Sequence, residues 1–467
     1  MTGNDLALIA HLMRRAGIGA SRTELEEYAS KGYEAVVEDL LQPEQFPDIE
    51  EDVLRRYYRN LTMEDSLPTW NGRWIYRMVN TKRPLVEKMA LFWHQVFATG
   101  WTKGEHTPSV IRQIETFRGN GMSDLRTILI DLSKDPAMID WLDNNENHKG
   151  EPNENYGREL LELFSMGVGN YTEQDIKMAA RAFTGWTFKQ PIPLYPYGNY
   201  PTEFEYRADD HDDSVKTFLG ETGHFDGEDI VDIIVRQPAT ARFISRHLYN
   251  FFVADEPQVP AWGHVPPQDP DAIDSLIQAY SDSGAQIRPM LRVLFNSDFF
   301  KQARFKRVKN PTELVAGTVK LVGTHRFPED GLLNFNTAAT VMGQRLMDPP
   351  TVEGWHTGKE WIDGGTLNER VNFAASEVAD ATKPGVRDII ERLGAGGATL
   401  SPEEFVDRCL DLAGPIEVGA ETRSALLKHA RSGGELGFGT DAEMQRSSDR
   451  IVRMLQLIVS SREYQFA

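Results

Sequence analysis

The chain has 467 residues, of which 40% are hydrophobic, so it is long enough to bury a large core. It contains 50 Lys and Arg residues against 70 Asp and Glu residues, which gives a net charge of −20. Such a surface repels nucleic acid and anionic membranes, and no Lys/Arg cluster offsets it. We therefore expect no nucleic-acid partner, and partners that are neutral, cationic or bridged by metal ions.

The cysteine content and the absence of long apolar runs bear on the cellular location. The single cysteine, Cys409, excludes a disulfide within the chain and a cysteine metal cluster. Residues 1–21 lack the basic and apolar regions of a signal peptide. No segment reaches about 18 consecutive apolar residues, the length that a membrane helix needs. The sequence predicts a cytoplasmic protein without a membrane span.

Helical periodicity dominates the first 380 residues, where apolar residues recur every three or four positions. The predicted helices are at about 5–16, 33–43, 72–80, 84–98, 107–119, 123–133, 156–167, 173–185, 227–236, 238–253, 269–281, 285–296, 309–323 and 366–378.

Strand patterns are scarce. The segments 203–207 and 214–220 predict a two-stranded hairpin. The proline-rich stretches 189–201 and 253–270 cannot be helical. We predict an all-α fold, a single globular body of many helices with a small β-hairpin insertion near 203–219. Residues 1–380 form the predicted main helical domain, and the glycine-rich links after it predict a C-terminal helical portion, 381–467, packed on that domain.

The predicted helix 84–98 is apolar around more than half its circumference, so we expect it to be buried on most sides. Glu87 and His94 are seven residues apart on one edge of this helix. A buried carboxylate is costly unless it is paired. The pair is interpreted either as a Glu–His contact that only satisfies the core, or as a pair that transfers protons or binds a metal ion.

The predicted helix 156–167 lies in the string NENYGRELLELFSMG and has one apolar arc and one polar arc. The polar arc carries Asn155, Arg158, Glu159 and Glu162. A solvated face explains this arc without any function. The two glutamates have the spacing of carboxylate metal sites in helical bundles, but no helix offers the Glu-x-x-His pair of such sites.

Two loops carry further candidate residues. The run at 209–213 surrounds His211 with four aspartates, and is either an acidic turn or a cation or acid–base site. Trp355 lies in the glycine-rich loop 348–370, which is either a plug over the helices or an aromatic binding platform. The sequence contains no P-loop, dinucleotide fingerprint, Gly-x-Ser-x-Gly or His-Glu-x-x-His motif.

Six strings occur in a characteristic order. They are HLMRRAGIGAS (11–21), EKMALFWHQVFATG (87–100), NENYGRELLELFSMGVGNYTEQDIKMAARAFTGW (153–186), HDDSVKTFLG (211–220), PATARFISRHLYNFFV (238–253) and MGQRLMDPPTVEGWHTGKEWI (342–362). In this order they resemble the bacterial family catalogued as domain of unknown function 1800, over about residues 8–375.

The resemblance implies that the chain is related to this family, but it does not imply a particular activity. Members of the family are often encoded beside a second family with an alkaline-phosphatase-like, sulfatase-related fold, which implies such a protein as a partner. The resemblance also implies that the polar arc of helix 156–167 belongs to an interior polar network. This chain departs from the family pattern at Val96, where relatives commonly have a second histidine, and at Ser214, His247 and Tyr249.

Two functions of different class fit these observations. The first is an enzyme of hydrolase or lyase type that uses clustered carboxylates and histidines as acid and base on a polar, saccharide-like substrate. The second is a non-catalytic helical scaffold or accessory partner of the phosphatase- or sulfatase-like protein encoded nearby.

For the enzyme, we predict that the candidate residues converge on one cavity. The predicted catalytic residues are Glu87, His94, Glu159, Glu162 and His211. The predicted substrate-binding residues are Asn155, Arg158, Trp186, Lys216 and Trp355. Clustered carboxylates resist ionising together, so at least one of them should have a raised pKa. A divalent cation is the alternative way to neutralise them, and the loss of the second histidine at Val96 counts against it.

Overall fold

Helices carry almost all the regular structure in the computed structural model, which describes residues 3–57, 66–191, 200–257, 262–395 and 399–467. Most of the stretch predicted to be irregular at 189–201, and part of the one at 253–270, lie outside the described residues.

Up to residue 141, the regular elements of the described residues are all helices. They are α1 (Gly3–Ala16), α2 (Arg22–Lys31), α3 (Tyr33–Leu41), α4 (Glu51–Tyr57), α5 (Leu67–Asn80), α6 (Pro84–Val96), α7 (Trp101–Gly104), α8 (Thr107–Asn120), α9 (Leu125–Ser133) and α10 (Pro136–Trp141).

The middle of the chain contains four short strands between helices. Its elements are α11 (Asn155–Glu162), α12 (Glu173–Ala182), β1 (Trp186–Lys189), β2 (Glu203–Tyr206), β3 (Lys216–Phe218), β4 (Glu221–Gly223), α13 (Gly227–Val235), α14 (Pro238–Phe252), α15 (Pro270–Ser283), α16 (Ile287–Asn296), α17 (Asp298–Lys301), α18 (Pro311–Val322), α19 (Leu332–Val341) and α20 (Gly364–Val378). The last helices are α21 (Pro384–Gly394), α22 (Pro402–Leu412), α23 (Ala420–Ser432) and α24 (Asp441–Val459).

The prediction of a mostly helical body with a small β-hairpin insertion is confirmed. Each predicted helix corresponds to an observed one, with ends that differ by a few residues. The prediction missed α2, α4, α7, α10, α17 and α19. Helix α2 was missed because it buries only Leu25 and so has no apolar stripe. A capping box between Ser21 and Glu24 is the signal that marks its start.

The predicted pairing of the strands is wrong. Strand β2 pairs with β1, where Phe188 lies opposite Phe204, and β3 pairs with β4. Leu219 and Gly220, predicted as the end of a strand, form the turn between β3 and β4 with φ angles of 49° and 86°. Two consecutive positive φ angles suit a tight hairpin turn, so β3 folds back on the residues that follow it.

One large hydrophobic core runs through the described residues and takes side chains from helices between α1 and α24, and Val308, Trp355 and Trp361 form a separate small cluster. Helix α6 lies inside this core, since all its residues except Val86 and Gln95 are buried. The predicted burial of this helix is therefore confirmed. Helix α24 packs against α20, so the last helices contribute to the same core. The division of the chain at residue 380 stays a prediction.

Every helix in the described ranges is too short or too polar to span a bilayer.

Candidate functional site

A cavity of about 500 Å³ opens between the end of α6, helix α14 and three loops. The loops follow α11, surround residue 262 and surround residue 355. The cavity is lined by Gln95, Val96, Glu162, Leu163, Met166, Gly167, Val168, Asn170, Pro238, Ala239, Arg242, Phe243, Arg246, His247, Asn250, Trp262, Gly263, Glu353, Trp355 and Thr357.

All the lining residues except Trp262 and Gly263 come from four of the six strings that carry the family resemblance. These are the strings at 87–100, 153–186, 238–253 and 342–362. Segments far apart in the sequence thus meet at one concave surface of the size that a small ligand needs. We therefore take this cavity as the candidate functional site.

Aromatic rings form two sides of the cavity. The ring centroid of His247 lies 4.2 Å from that of Phe243 and 4.8 Å from that of Trp262. On another side, Trp355 meets the ring of His94 edge to face at 5.1 Å. Rings in such positions offer flat apolar surfaces with polar edges, which suit the face of a ring-shaped ligand.

Helix α11 ends earlier than predicted, and this places Glu162 at the cavity. After Glu162 the chain turns, and the backbone N–H groups of Met166 and Gly167 both donate to the carbonyl of Leu161, at 3.0 and 3.1 Å. Helix α11 also packs closely on α12, because a Cβ atom at Gly157 would lie only 3.0 Å from the backbone nitrogen of Ala180.

Two carboxyl groups lie one helical turn apart near the cavity, and Glu162 alone of the two is among its lining residues. The hydroxyl of Tyr171 donates to Glu162 at 2.8 Å. Burial raises the pKa of Glu159 to about 7, and the charges of Glu162 and Glu353 add to this effect while Arg158 opposes it. Burial is thus the main cause of the raised pKa of Glu159, and the clustered carboxylates that we predicted as the cause are a smaller one. At this pKa, Glu159 can hold or release a proton near neutral pH.

Two arginines of α14 line the cavity in different states. The guanidinium of Arg246 already has hydrogen-bond partners within the protein. Its Nε donates to Glu256 at 2.7 Å, and its Nη1 donates to the carbonyls of Trp262 and Val265 at 2.8 and 2.7 Å. Arg242, one turn earlier, is exposed and has no hydrogen bond or ion pair with any described residue. Its charge is therefore available to a ligand.

The histidines near the cavity are neutral at physiological pH. Burial, assisted by the charge of Arg246, lowers the pKa of His247 to about 3. Burial alone lowers the pKa of His94 to about 3. His94 lies behind Trp355 and accepts a hydrogen bond from the backbone of Met347, so it supports the wall of the cavity from inside.

Glu87 is not at the cavity and does not pair with His94. Its carboxylate is buried and accepts hydrogen bonds from Nε1 of Trp74 at 2.9 Å, Nε of Arg77 at 2.8 Å and Nε of Arg118 at 2.9 Å. These donors satisfy the charge inside the core, as the non-catalytic interpretation of this residue requires.

His211 and Lys216 have internal contacts beside α12. The Nδ1–H group of His211 donates to the carbonyl of Thr184 at 2.9 Å. The ammonium group of Lys216 donates to the carbonyls of Asp212 and Ser214, and burial lowers its pKa. Both side chains fix the loop before β3.

Trp186 is buried in the core, where its ring centroid lies 5.1 Å from that of Phe183 and 5.3 Å from that of Phe204. It does not line the cavity. Its predicted position as a wall is therefore wrong.

Asn155 and Arg158 lie towards solvent. Arg158 forms ion pairs with Glu173 at 2.9 Å and with Glu154 at 3.2 Å, and Asn155 is exposed. The expectation that the polar arc forms an interior network is wrong for these two residues, because acidic neighbours at the surface already satisfy the arginine.

The predicted convergence of five acidic and histidine side chains on one cavity is wrong as a whole. Glu162 lines the cavity, Glu159 lies one turn away, and His94 lies behind its wall. Glu87 and His211 are bound to other partners elsewhere. Of the five predicted catalytic residues, Glu162 alone lines the cavity.

Of the lining residues, the sequence predicted only Glu162 and Trp355. The charged and aromatic lining residues that it missed include Arg242, Phe243, His247, Trp262 and Glu353. On α14, Arg242 lies one turn from Arg246 and Phe243 lies one turn from His247, and all four line the cavity. The signal for these residues in the sequence is the string at 238–253, which also carries the family resemblance.

No three His, Cys, Asp or Glu side chains in the described residues are placed to bind one metal ion. The family model described as "Protein of unknown function (DUF1800)" matches residues 11–466. This match continues through the C-terminal helices, beyond residue 375 where the resemblance was expected to end. No curated protein and no solved structure gives a significant match.

Proposed function

The chain belongs to the DUF1800 family of proteins of unknown function, and we propose that it is an enzyme of hydrolase or lyase type. Its substrate is a polar, saccharide-like molecule that binds in the 500 Å³ cavity. The observation that carries this proposal is a pair of carboxyl groups one helical turn apart, of which Glu162 lines the cavity and Glu159 has a pKa of about 7.

In this proposal the two carboxyl groups have different roles. Glu159 holds a proton at neutral pH and donates it to the leaving oxygen of the substrate. Glu162, oriented by the hydroxyl of Tyr171, accepts a proton from water or from the substrate carbon. Different environments for two neighbouring carboxyl groups are a known way to separate an acid from a base.

The walls of the cavity supply binding. Trp262 and Trp355 offer aromatic surfaces to a sugar ring, and Arg242 offers an unpaired charge. Gln95 and Asn250 add amide groups to the lining. The other residues predicted for the site have internal or surface contacts, and the proposal assigns them no contact with substrate.

The test is turnover of nitrophenyl glycosides and of neutral and acidic oligosaccharides by the purified chain. We expect Glu159→Gln and Glu162→Gln each to lower kcat by about 10²-fold or more, because each removes one proton-transfer group. Glu391→Gln is the matched control, since this side chain on α21 is 70% exposed and is not among the residues that line the cavity. Equal turnover in all four proteins would contradict the proposal.

Saccharide binding gives a second readout that does not need turnover. Bound sugar should change the fluorescence of Trp262 and Trp355, and Arg242→Gln should weaken binding of acidic saccharides more than of neutral ones. Absence of any fluorescence response and of any turnover across the panel would reject the enzyme.

A scaffold or accessory role is the second candidate. The internal contacts of Glu87, His94 and His211 favour it, because family strings that look chemical are here used to hold helices and loops together. This candidate predicts co-purification with the phosphatase- or sulfatase-like protein encoded nearby, and Glu159→Gln should leave that association intact. Retained association together with lost turnover would favour the enzyme.

A further inference from the structure

One side of the candidate cavity is formed by a single face of α14. Phe243, His247 and Asn250 stand three or four residues apart on this helix, and all three line the cavity. Residues at this spacing are neighbours on the surface of a helix. The roles proposed above for this cavity give His247 no contact with substrate, although it lies at the centre of this face.

The ring of His247 is held in place by packing. Its centroid lies 4.2 Å from that of Phe243 and 4.8 Å from that of Trp262. Neither of its ring nitrogens has a hydrogen-bond partner among the described residues. Polar atoms in such an enclosed position normally have a partner. Because the side chain is only partly buried and lines the cavity, a ligand there can supply the partners that the protein does not.

The charge state of His247 decides which ligand groups suit it. Burial, assisted by the charge of Arg246, lowers the pKa of His247 to about 3, so the ring is neutral at physiological pH. A neutral imidazole has one N–H donor and one bare nitrogen that accepts. A hydroxyl group both donates and accepts, so it matches either nitrogen. An oxyanion only accepts, so it can use the N–H group but leaves the bare nitrogen unsatisfied.

The side-chain amide of Asn250 is oriented by the backbone. Its Oδ1 accepts the N–H of Glu256 at 2.8 Å. Because a backbone N–H only donates, this bond identifies the amide oxygen and leaves the two donors of Nδ2 free. Nδ2 has no acceptor in the part of the chain that the structure describes, although Asn250 is buried. Asn250 therefore retains donors alone for a ligand in the cavity that it lines.

The charged residues of α14 do not occupy these two positions. Arg246 is bound to Glu256 and to main-chain carbonyls. Arg242 is exposed, one turn before Arg246, whereas Asn250 is buried at the other end of the same face. The inner part of this face thus offers two neutral hydrogen-bonding side chains, His247 and Asn250.

We propose that the ligand of this cavity presents two hydroxyl groups on adjacent carbons to His247 and Asn250. One hydroxyl oxygen accepts from Nδ2 of Asn250, the neighbouring hydroxyl bonds to the imidazole, and the C–H face of the ligand ring packs on Trp262. The inference rests on the proposed function, because it names the substrate class for the same site: a sugar or other cyclic polyol with adjacent hydroxyls. His247 and Asn250 determine specificity and take no part in proton transfer.

The probes are the methyl pyranosides of glucose, galactose, mannose and xylose, titrated against the tryptophan fluorescence of the full chain. Forms that lack the hydroxyl at C2, C3 or C4 are titrated beside them. We expect at least one of the four sugars to bind. Removal of a recognised hydroxyl should weaken its binding by about tenfold, because a donor of the protein is left unpaired.

The variant His247→Phe keeps an aromatic ring between Phe243 and Trp262 and removes both ring nitrogens. We expect it to bind the full sugar about tenfold more weakly. For the sugar that lacks the recognised hydroxyl it should equal the parent protein, since both changes remove the same hydrogen bond. His264→Phe is the matched control, because His264 is exposed and is not among the lining residues. It should bind every probe as the parent protein does.

A second variant tests the geometry. Asn250→Asp keeps an acceptor for the N–H of Glu256 and removes the two donors of Nδ2. Circular dichroism checks that it folds. We expect it to lose discrimination at one hydroxyl of the sugar, and His247→Phe to lose discrimination at the hydroxyl on the adjacent carbon.

Three results would overturn the inference. The first is the absence of a response to all four sugars. The second is a His247→Phe variant that weakens the full and the deoxy sugar by the same factor, which is the result of a merely structural role. The third is inorganic phosphate that competes with the sugar and no longer does so in His247→Phe.

Failure of the proposed function gives a different result. Binding with the expected dependence on two adjacent hydroxyls, but without turnover of any saccharide, would reject the enzyme and support the assigned contacts. Turnover with a KM that His247→Phe leaves unchanged would support the enzyme and overturn the inference.

Discussion

The Nε2 atom of His94 lies 2.9 Å from the backbone nitrogen of Met347 and accepts its N–H across 253 positions of sequence. Met347 has a φ angle of 60°, and its carbonyl accepts the backbone N–H of Trp101 at 3.0 Å. The peptide groups around this strained residue are thus held from both sides. The low pKa of His94 keeps the ring neutral and its acceptor available.

We predict that His94→Phe lowers the free energy of unfolding by about 1–3 kcal/mol, because it leaves the N–H of Met347 buried without an acceptor. Urea unfolding measures the loss. His356→Phe is the control, since that ring is 77% exposed and its replacement should change stability by less than about 0.5 kcal/mol. Equal effects of the two substitutions would refute the structural role of His94.

The ion cluster around Glu87 leads to a second prediction. Glu87→Gln should destabilise the fold by about 3 kcal/mol, because Arg77 and Arg118 would lose a buried partner. Glu115→Gln removes an exposed carboxylate from the same Arg118 and should cost at most about 1 kcal/mol. Guanidinium unfolding of both variants makes the comparison, and a larger loss for Glu115→Gln would be inconsistent with it.

A third prediction concerns the pH dependence of stability. The folded pKa of Glu159 is about 7, above its ordinary value, so the folded state holds more protons than the unfolded state from about pH 4.5 to 7. The parent chain should lose stability at this residue as the pH rises through that window. Glu159→Gln removes the penalty and should therefore be more stable than the parent above pH 7. After allowance for the partial exposure of Glu159, the gain should be about 1–2 kcal/mol.

Thermal unfolding of both proteins at a series of pH values measures this difference, which should shrink towards zero below about pH 4.5. A difference that does not change with pH would mean that the proton of Glu159 is not its cause.

A fourth prediction concerns the wall beside Trp355. Gly354 has a φ angle of 84°, and a Cβ atom there would lie 2.6 Å from the carbonyl oxygen of Gln95. Gly354→Ala therefore incurs both backbone strain and a clash. Gly220 has a similar φ of 86° but no atom within 4 Å of the added Cβ, so Gly220→Ala incurs the strain alone.

We expect Gly220→Ala to cost about 1–2 kcal/mol and Gly354→Ala to cost about 1–3 kcal/mol more. Urea unfolding tests the ordering. Equal losses would mean that the close approach of the loop to α6 does not affect the free energy of unfolding.

The helices were largely predictable because local patterns fix them. The apolar circumference of 84–98 predicted a buried helix, and nearly every residue of α6 is buried. The end of α11 was not predictable, because the turn after Glu162 depends on backbone bonds to Leu161 that no side-chain pattern shows. The pairing of β2 failed for a similar reason, since two strands of four residues carry no register signal.

The candidate site was predictable only in part. The spacing of Glu159 and Glu162 indicated the two neighbouring carboxyl groups, and Trp355 was predicted as a wall residue that does line the cavity. The sequence does not show which arginine a buried carboxylate will contact. Glu87 forms ion pairs with Arg77 and Arg118 and therefore lies away from the predicted site. The aromatic side of the cavity was missed because Phe243 and His247 stand at helical spacing, which is also the pattern of ordinary packing.

The contacts of residues 465–467 have a consequence for the order of folding. Arg370 donates to the side chain of Gln465 at 2.9 Å, the backbone N–H of Lys309 donates to the carbonyl of Gln465 at 2.9 Å, and the backbone N–H of Ala467 donates to the carbonyl of Arg307 at 2.8 Å. These bonds join residues that lie far apart in the sequence. Such contacts form late, because the long loops between the partners must close first. The start of α18 and the middle of α20 therefore gain their last neighbours only after most of the chain has collapsed around them.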